Sequence, residues 1–512
     1  METRSSKRRN LLLKEAKREV WGGYSNPDDD VDRISDLPDE LLHQILLLLP
    51  IKCVAQGSVL SKRWRSLWNS LPDLDFTSLL LPNKARTRSS SLSSEVSKSW
   101  PFIDEMDPIS NVLARREKSC MLRRLRFCAR LSFTRLNGLI RSAIRNNVQE
   151  LDIEVTTDDH FNLPRCILTS ESLKVFKLKS CYPGFHLPPS SILTDGFRSL
   201  RLLSLSLIVF RKHFSLHDLF TDTSFPLLNK LSLDTCFGLE HVRFSCPSLR
   251  ELALQKCFDL RSLEIASAKL ETLRVKSCLD ANFEIESQVY INGPKLHNIE
   301  WEDNAIASAV TFENLDALHQ ASIGFYVADE GMPASEISHV SKLLAGVSHV
   351  SCLVLDCKCV EVNKNLANHP FHNVKSLELG IGFTKRDLKG LSYILSKAPS
   401  VQNLTLQVEE NKAQSRELWG PARDPIYWEN QAQLFKPFLK HVKFVKINGF
   451  VESEVEICFV ILLIKHAQNL QKLVLRSGYY NPRDLQLREK SRKHLKDLFT
   501  HVSSSPPQIV FE

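Results

Sequence analysis

One short pattern recurs along most of this chain and limits what it can fold into. It is Φ-x-x-Φ-x-Φ, with Φ apolar, read at Leu122/Leu125/Phe127, Val148/Leu151/Ile153, Leu173/Phe176/Leu178, Leu200/Leu203/Leu205, Leu228/Leu231/Leu233, Leu249/Leu252/Leu254 and Leu270/Leu273/Val275. Weaker copies stand at Leu296/Ile299/Trp301 and Leu318/Ala321/Ile323. Clearer ones return at Val350/Leu353/Leu355, Val374/Leu377/Leu379, Val401/Leu404/Leu406, Val442/Val445/Ile447 and Leu470/Leu473/Leu475. Most copies lie 21 to 28 residues apart, with offsets of 32 at Leu318 to Val350 and 41 at Val401 to Val442. Within a copy the last two Φ residues alternate across one short strand and point the same way, and the first covers the same core from the preceding turn. A single unit has no second layer for its apolar side, so the units must stack into one curved parallel sheet. The two long offsets are expected to be insertions on the outer or rim side.

Near the amino end a different period takes over. Residues 31 to 76 place Leu37, Leu41, Ile45 and Leu48/Leu49 at helical spacing, and the adjacent Leu42, Leu46 and Leu47 broaden that apolar surface. Pro38 suits a first helical turn, Asp36 is available to cap just ahead of it, and Pro50 is expected to stop the helix. A second helical segment, SVLSKRWRSLW, puts Leu60, Trp64, Leu67 and Trp68 at i, i+4, i+7 and i+8. So short a unit carries more large apolar groups than it can bury internally, so part of this surface requires a partner.

These residues resemble an F-box. The family's pattern is matched by Leu37, Pro38, Glu40, Leu42, Ile45, Leu46, Leu49 and Pro50, and then by Ser58, Leu60, Ser61, Lys62, Arg63, Trp64, Arg65, Leu67 and Trp68. The resemblance implies a three-helix module that docks on the Skp adaptor of a cullin ubiquitin ligase. It makes Leu37, Pro38, Leu41, Leu42, Ile45, Leu49, Pro50, Leu60, Ser61, Trp64, Leu67 and Trp68 the candidate module and adaptor-binding residues, with Leu37, Pro38 and Trp64 reaching the adaptor. The repeats resemble leucine-rich repeats, which carry Asn or Cys three residues after the last Φ. Cys181, Cys236, Cys257 and Cys278 stand at that offset. Residues 438 to 476 resemble the FBD module that ends many plant F-box proteins with leucine-rich repeats. There a strand, a turn at Gly449 and a helix opening near Glu452 to Glu456 are expected, the helix burying Val460, Leu463, Ile464 and Ala467. Residues 139 to 155 resemble the helix and strand that open such repeat regions.

The expected fold class is therefore α/β: a small all-α three-helix F-box, then an irregular leucine-rich-repeat solenoid with a curved parallel sheet and outer helices or turns. The expected divisions are a flexible tail (1–30), the F-box (31–78), a serine-rich linker (79–118), repeats (119–430), an FBD-like cap (431–480) and a C-terminal tail (481–512). Thirteen cysteines in 512 residues do not make a secreted disulfide framework. No leader is visible, and the longest apolar run near the C-terminus, residues 458 to 464, is far below a spanning length, so an intracellular location, nuclear or cytoplasmic, without membrane insertion is expected.

Phosphate-binding loops, a GxSxG elbow, HExxH and the dinucleotide glycine pattern are absent, so no catalytic residue and no cofactor is expected. Cys352, Cys357 and Cys359 cluster in sequence, but the chain has no CxxC pair, and no metal site is assigned. The function implied is substrate receptor: the F-box on its adaptor, the repeats on a protein target. Two other readings remain. Residues 111 to 146 hold ten Lys and Arg against one acid, a balance of +9, which would suit nucleic acid or an acidic partner. The repeat face could instead form a small-molecule receptor.

Overall fold

The computed structural model describes residues 34, 36–77, 108–116, 120–157, 161–180, 185–186, 196–210, 219–280, 287–326, 334–362, 371–408, 425–478, 492–493, 495 and 507–512. The N-terminal tail and the serine-rich stretch 84–99 lie outside them. The chain divides into two compact units, Met1–Leu71 and Pro72–Glu512.

Among the described residues the first unit holds three short helices, α1 (Asp39–Leu47), α2 (Ile51–Gly57) and α3 (Lys62–Ser70). Pro38 and Pro50 occupy the N-cap positions of α1 and α2, so Pro50 opens the second helix, and α1 has already ended at Leu47. Asp36 does not cap α1, which has no side-chain cap; α3 is capped by Ser61, whose Oγ accepts from the Trp64 N–H at 3.2 Å. Leu42, Leu46, Ile51, Val54, Leu67, Trp68 and Leu71 form the interior.

In the second unit the chain runs through β1 (Asp73–Asp75), α4 (Pro108–Arg115), β2 (Arg124–Arg130), α5 (Phe133–Arg145), β3 (Glu150–Thr156), β4 (Phe161–Asn162), α6 (Arg165–Leu168), β5 (Val175–Ser180), β6 (Phe185–His186) and β7 (Leu202–Ser206). Strands then follow on strands: β8 (Lys230–Asp234), β9 (His241–Phe244), β10 (Glu251–Gln255), β11 (Ser262–Ala266), β12 (Thr272–Lys276), β13 (Gln288–Asn292), β14 (Asn298–Asn304), β15 (Ala309–Glu313) and β16 (Gln320–Phe325). After these come α7 (Ala334–Gly346), β17 (Cys352–Leu355), α8 (Cys357–Val362), β18 (Ser376–Ile381), α9 (Lys385–Lys397), β19 (Asn403–Val408), α10 (Pro425–His441), β20 (Phe444–Phe450), α11 (Glu454–His466), β21 (Lys472–Ser477) and β22 (Gln508–Phe511). Helix α4 lies inside the segment expected to be a linker, and β22 inside the segment expected to be a tail.

Among the described residues the main sheet has sixteen parallel strands in the order β1-β2-β3-β5-β7-β8-β10-β12-β14-β16-β17-β18-β19-β20-β21-β22. Every residue of every Φ triplet is buried, the most exposed being Leu470 at 7 %. The two long offsets in the repeat hold helices, α7 and α10, and α10 packs between α9 and α11.

The outer wall departs from the helices and turns expected of it, because its middle is a second parallel sheet, β9-β11-β13-β15. Strands stack about 4.8 Å apart on both walls there, so that stretch has little reason to bend. From α7 onward the outer wall is helical, and helices need about 8–10 Å between axes, so the sheet must curl around its solvent face. Gly390 permits one such close approach: a Cβ on it would stand 1.7 Å from the Val360 carbonyl oxygen of α8. Gly390→Ala should force α8 and α9 apart and cost about 1–3 kcal/mol, read as a lower urea midpoint. An unchanged midpoint would refute the close packing.

Three residues past the last Φ, Cys236, Cys257 and Cys278 are fully buried, each preceded by a residue with φ near +52° (Thr235, Lys256, Ser277). Cys181 lies outside the described residues. Cys236 donates to the Leu205 carbonyl (3.7 Å) and Cys257 to those of Leu233 (3.7 Å) and Gln255 (3.5 Å), so the thiols satisfy turn carbonyls. Burial pushes the Cys246 thiol up to about 12, whereas Cys53 is exposed. Iodoacetamide at mildly alkaline pH should therefore modify Cys53 and spare Cys246 in the folded chain, checked by peptide mass mapping; labelling of both at equal rates would contradict the burial.

At the FBD-like end a strand, a helix and a closing strand follow one another, but Gly449 (φ +77°) lies inside β20, at a register shift between Asn448 and Phe450, and not in a turn after the strand. Helix α11 carries a capping box in which Ser453 Oγ accepts from the Glu456 N–H and Glu456 Oε2 accepts from the Ser453 N–H. Helix α11 buries Val460 and Leu463, with Ala467 buried just beyond it, and leaves Ile464 half-buried.

Candidate docking site

The first unit has a division of labour that helical periodicity alone does not give. Leu42 and Leu46 face inward, while Leu41, Ile45 and Leu48, at i, i+4 and i+7, form an exposed stripe. Leu48 is 86 % exposed, Leu60 79 % and Val59 75 %. Leu47, Leu49 and Ile34 are exposed as well, as are Pro38, Pro50 and Ser61. Leu37 and Trp64 are half-buried, and Leu67 and Trp68 belong to the interior. The sequence pattern groups all these residues; the structure separates those that hold the unit from those that face solvent. It adds Val59, which the pattern passes over, and Leu48, which helical spacing aligned with Leu41 and Ile45 but which was not among the adaptor-binding candidates.

Polar contacts fix the exposed stripe in place. Arg63 of α3 donates from Nε (2.9 Å) and a terminal nitrogen (2.6 Å) to Asp39 Oδ1, and also to the Leu37 carbonyl. Ser70 and His43 are hydrogen-bonded at 2.9 Å, tying the end of α3 to the middle of α1. The apolar residues on α1 are thus presented on a braced helix pair. Single-residue exposure would need no explanation, whereas a run of this size is the kind of surface that protein–protein contacts cover.

The basic segment 111–146 distributes differently from its sequence balance. Arg123 pairs with Asp73, Arg124 with Glu150 (2.8 Å), and Arg126 with both Asp75 (3.7 Å) and Asp152 (3.4 Å), all from neighbouring strands or strand entries. Arg116 is buried, which lowers its pKa, and Lys118 lies outside the described residues. Much of the local excess is answered by acid that is distant in sequence and adjacent in the sheet.

Cys352, Cys357 and Cys359 do not converge. Cys352 sits on the solvent face of β17 in register with Gln320 and Ser376, whereas Cys357 and Cys359 are buried in α8. Cys357 Sγ lies 3.5 Å from Asp387 Oδ1 and 3.9 Å from Glu361 Oε1, and the three donor atoms fall within 4.8 Å of one another. Asp387 is already engaged in holding the start of α9, where its Oδ2 accepts from the N–H groups of Gly382 (2.9 Å) and Thr384 (3.0 Å) in the capping box. Among the described residues no helix is long and apolar enough to cross a membrane.

The F-box domain family model matches residues 34–75. A leucine-rich-repeat family model, described as At1g61320/AtMIF1, LRR domain, matches residues 116–322 and 184–502. Among curated proteins the chain is similar to the putative F-box/FBD/LRR-repeat protein At4g03220 of Arabidopsis thaliana, 40 % identical with all of both chains covered. It is also similar to two further Arabidopsis thaliana proteins, the FBD-associated F-box protein At4g13985 (25 % identical) and the F-box/FBD/LRR-repeat protein At1g78750 (24 %). In each of these two comparisons 87 % of this chain and 90 % of the relative are covered.

Proposed function

The chain belongs to the plant F-box/FBD/LRR-repeat family, and from that premise we propose that it is the substrate receptor of a Skp/cullin/F-box ubiquitin ligase. Its F-box contacts a Skp adaptor through Leu41, Ile45, Leu48, Val59 and Leu60, with Leu37, Pro38 and Trp64 at the edge of the contact. The repeats hold a protein target. The observation that carries the reading is the solvent-exposed apolar stripe on α1 and the turn before α3, in a unit whose own interior is already complete. Covering such a surface releases water from apolar area and drives association without any catalytic group in this chain.

The chemistry is done elsewhere in the complex. What this chain supplies is proximity: a target held on the repeats has its lysines at high effective concentration near activated ubiquitin. The test is recovery of a Skp adaptor, and of a cullin through it, on the tagged full chain from cells expressing all three. Co-recovery is expected; a tagged chain that brings down neither would overturn the proposal.

A further inference from the structure

The solvent face of the main sheet pairs much of its charge across neighbouring strands. From β2 to β14 many of the basic side chains on the strands are answered by acid on adjoining strands. Lys177 pairs with Glu150, Lys179 with Glu154, Lys230 with Glu251, Arg274 with Glu300 and Lys276 with Glu302, in addition to the arginines of β2 already described. The parallel register makes this possible, because residues in one row stand about 5 Å apart across neighbouring strands.

Near the C-terminal end Arg476 of β21 still meets Glu512 at 3.4 Å, but three lysines close by do not meet acid. Register places Asn403, Phe444 and Lys472 in one row, and Thr405, Lys446 and Val474 in the next row on the same face. Lys446 is therefore about 7 Å along the strand from Phe444, and Lys472 about 5 Å to its side. Lys443 stands at the strand entry, its carbonyl accepting from the Gln471 N–H at 2.8 Å. Lys443, Lys446 and Lys472 have no ion-pair partner among the described residues. Phe444, in their midst, is 43 % exposed. Amide side chains border the patch: Asn448 donates to Gln407 at 3.0 Å, and Gln407 to Glu378 at 2.8 Å.

We propose that this patch on β20 and β21 binds an acidic segment of the target protein that carries an apolar side chain. Carboxylates would meet the three ammonium groups, and the apolar residue would cover the Phe444 ring. The inference rests on the reading of the repeats as target-binding and narrows the class of target. A peptide fits better than single-stranded nucleic acid, which needs successive aromatic platforms, whereas among the described residues of the patch one ring is present. Three lysines without an ion pair around an exposed ring, on a sheet that pairs many of its other basic groups, are the complement of a negatively charged ligand that carries an apolar group.

The test is fluorescence anisotropy with the tagged full chain and a short fluorescein-labelled peptide of glutamates interspersed with leucines. Binding is expected, weakening as salt is raised. Lys446→Glu with Lys472→Glu should reduce affinity at least about tenfold, and Phe444→Ala should also reduce it, whereas Lys230→Ala on the paired part of the sheet should stay within about twofold. No binding by wild type, equal binding by the double variant, or tighter binding of a single-stranded oligothymidine would overturn the inference. Recovery of the Skp adaptor is measured on each preparation in parallel. Retained recovery together with absent peptide binding sinks this inference and leaves the receptor function standing.

Discussion

Leu48→Arg combined with Leu60→Arg should abolish recovery of the Skp adaptor while leaving the chain as well folded as the wild type. Both side chains are largely exposed, so a guanidinium at either position is solvated in the free chain and disturbs no interior contact. In a complex the same two charges would be driven into an apolar contact without a partner, and truncating or polarising a central anchor costs about 2–4 kcal/mol. Two such changes should lower affinity by about three orders of magnitude or more. The comparison variant is Leu42→Ala, fully buried between the helices, which should lose adaptor binding through unfolding of the first unit. Circular dichroism and limited proteolysis separate the two cases: unchanged for the arginine pair, altered for Leu42→Ala. Undiminished recovery by the arginine pair would mean that the exposed stripe is not the contact surface.

Asn304→Ala should be among the most destabilising single changes in the repeats. The side chain is fully buried, its Oδ1 accepts from the N–H groups of Cys278 (2.8 Å) and Leu279 (3.3 Å), and its Nδ2 donates to the Val275 carbonyl (2.8 Å). Alanine leaves three backbone groups unpaired away from water, each costing about 1–3 kcal/mol, for a total near ~4 kcal/mol after local relaxation. Asn304→Cys should cost less, since a thiol occupies the same place after β8, β10 and β12 and bonds to turn carbonyls there. Urea unfolding followed by circular dichroism reads both; equal midpoints for wild type and Asn304→Ala would contradict the role given to this amide.

Asn304 also shows what the sequence made legible and what it hid. It stands three residues after Trp301, the same offset as the ladder cysteines, so the rule that located the thiols applied to it as well. The Φ triplets were readable because a strand with one buried face must alternate, and no other secondary structure tolerates that pattern at so regular an offset. The outer sheet was hidden by the same pattern. Leu239/Val242/Phe244 and Leu260/Leu263/Ile265 repeat it between successive inner strands, so the shortest repeat spacing, 21 residues, contains two strands where the longer ones have room for a helix. One strand per repeat leaves the second unassigned.

In the first unit the limit was different. Helix α1 carries leucine on nearly every side, so periodicity cannot say whether Leu41 or Leu42 faces the interior; only the position of α3, set by Arg63 and Ser70, decides it. The charge pattern had the same difficulty, because Asp73 and Glu150 answer arginines from distant parts of the chain. The linear excess over residues 111–146 therefore overstated the charge the folded surface presents.

The most direct measurement is calorimetric titration of the purified full chain with a purified Skp adaptor at several temperatures. Burial of the exposed leucines predicts one-to-one binding with submicromolar affinity and a negative heat-capacity change. Absence of heat at every temperature, with the two proteins eluting separately on gel filtration, would contradict it.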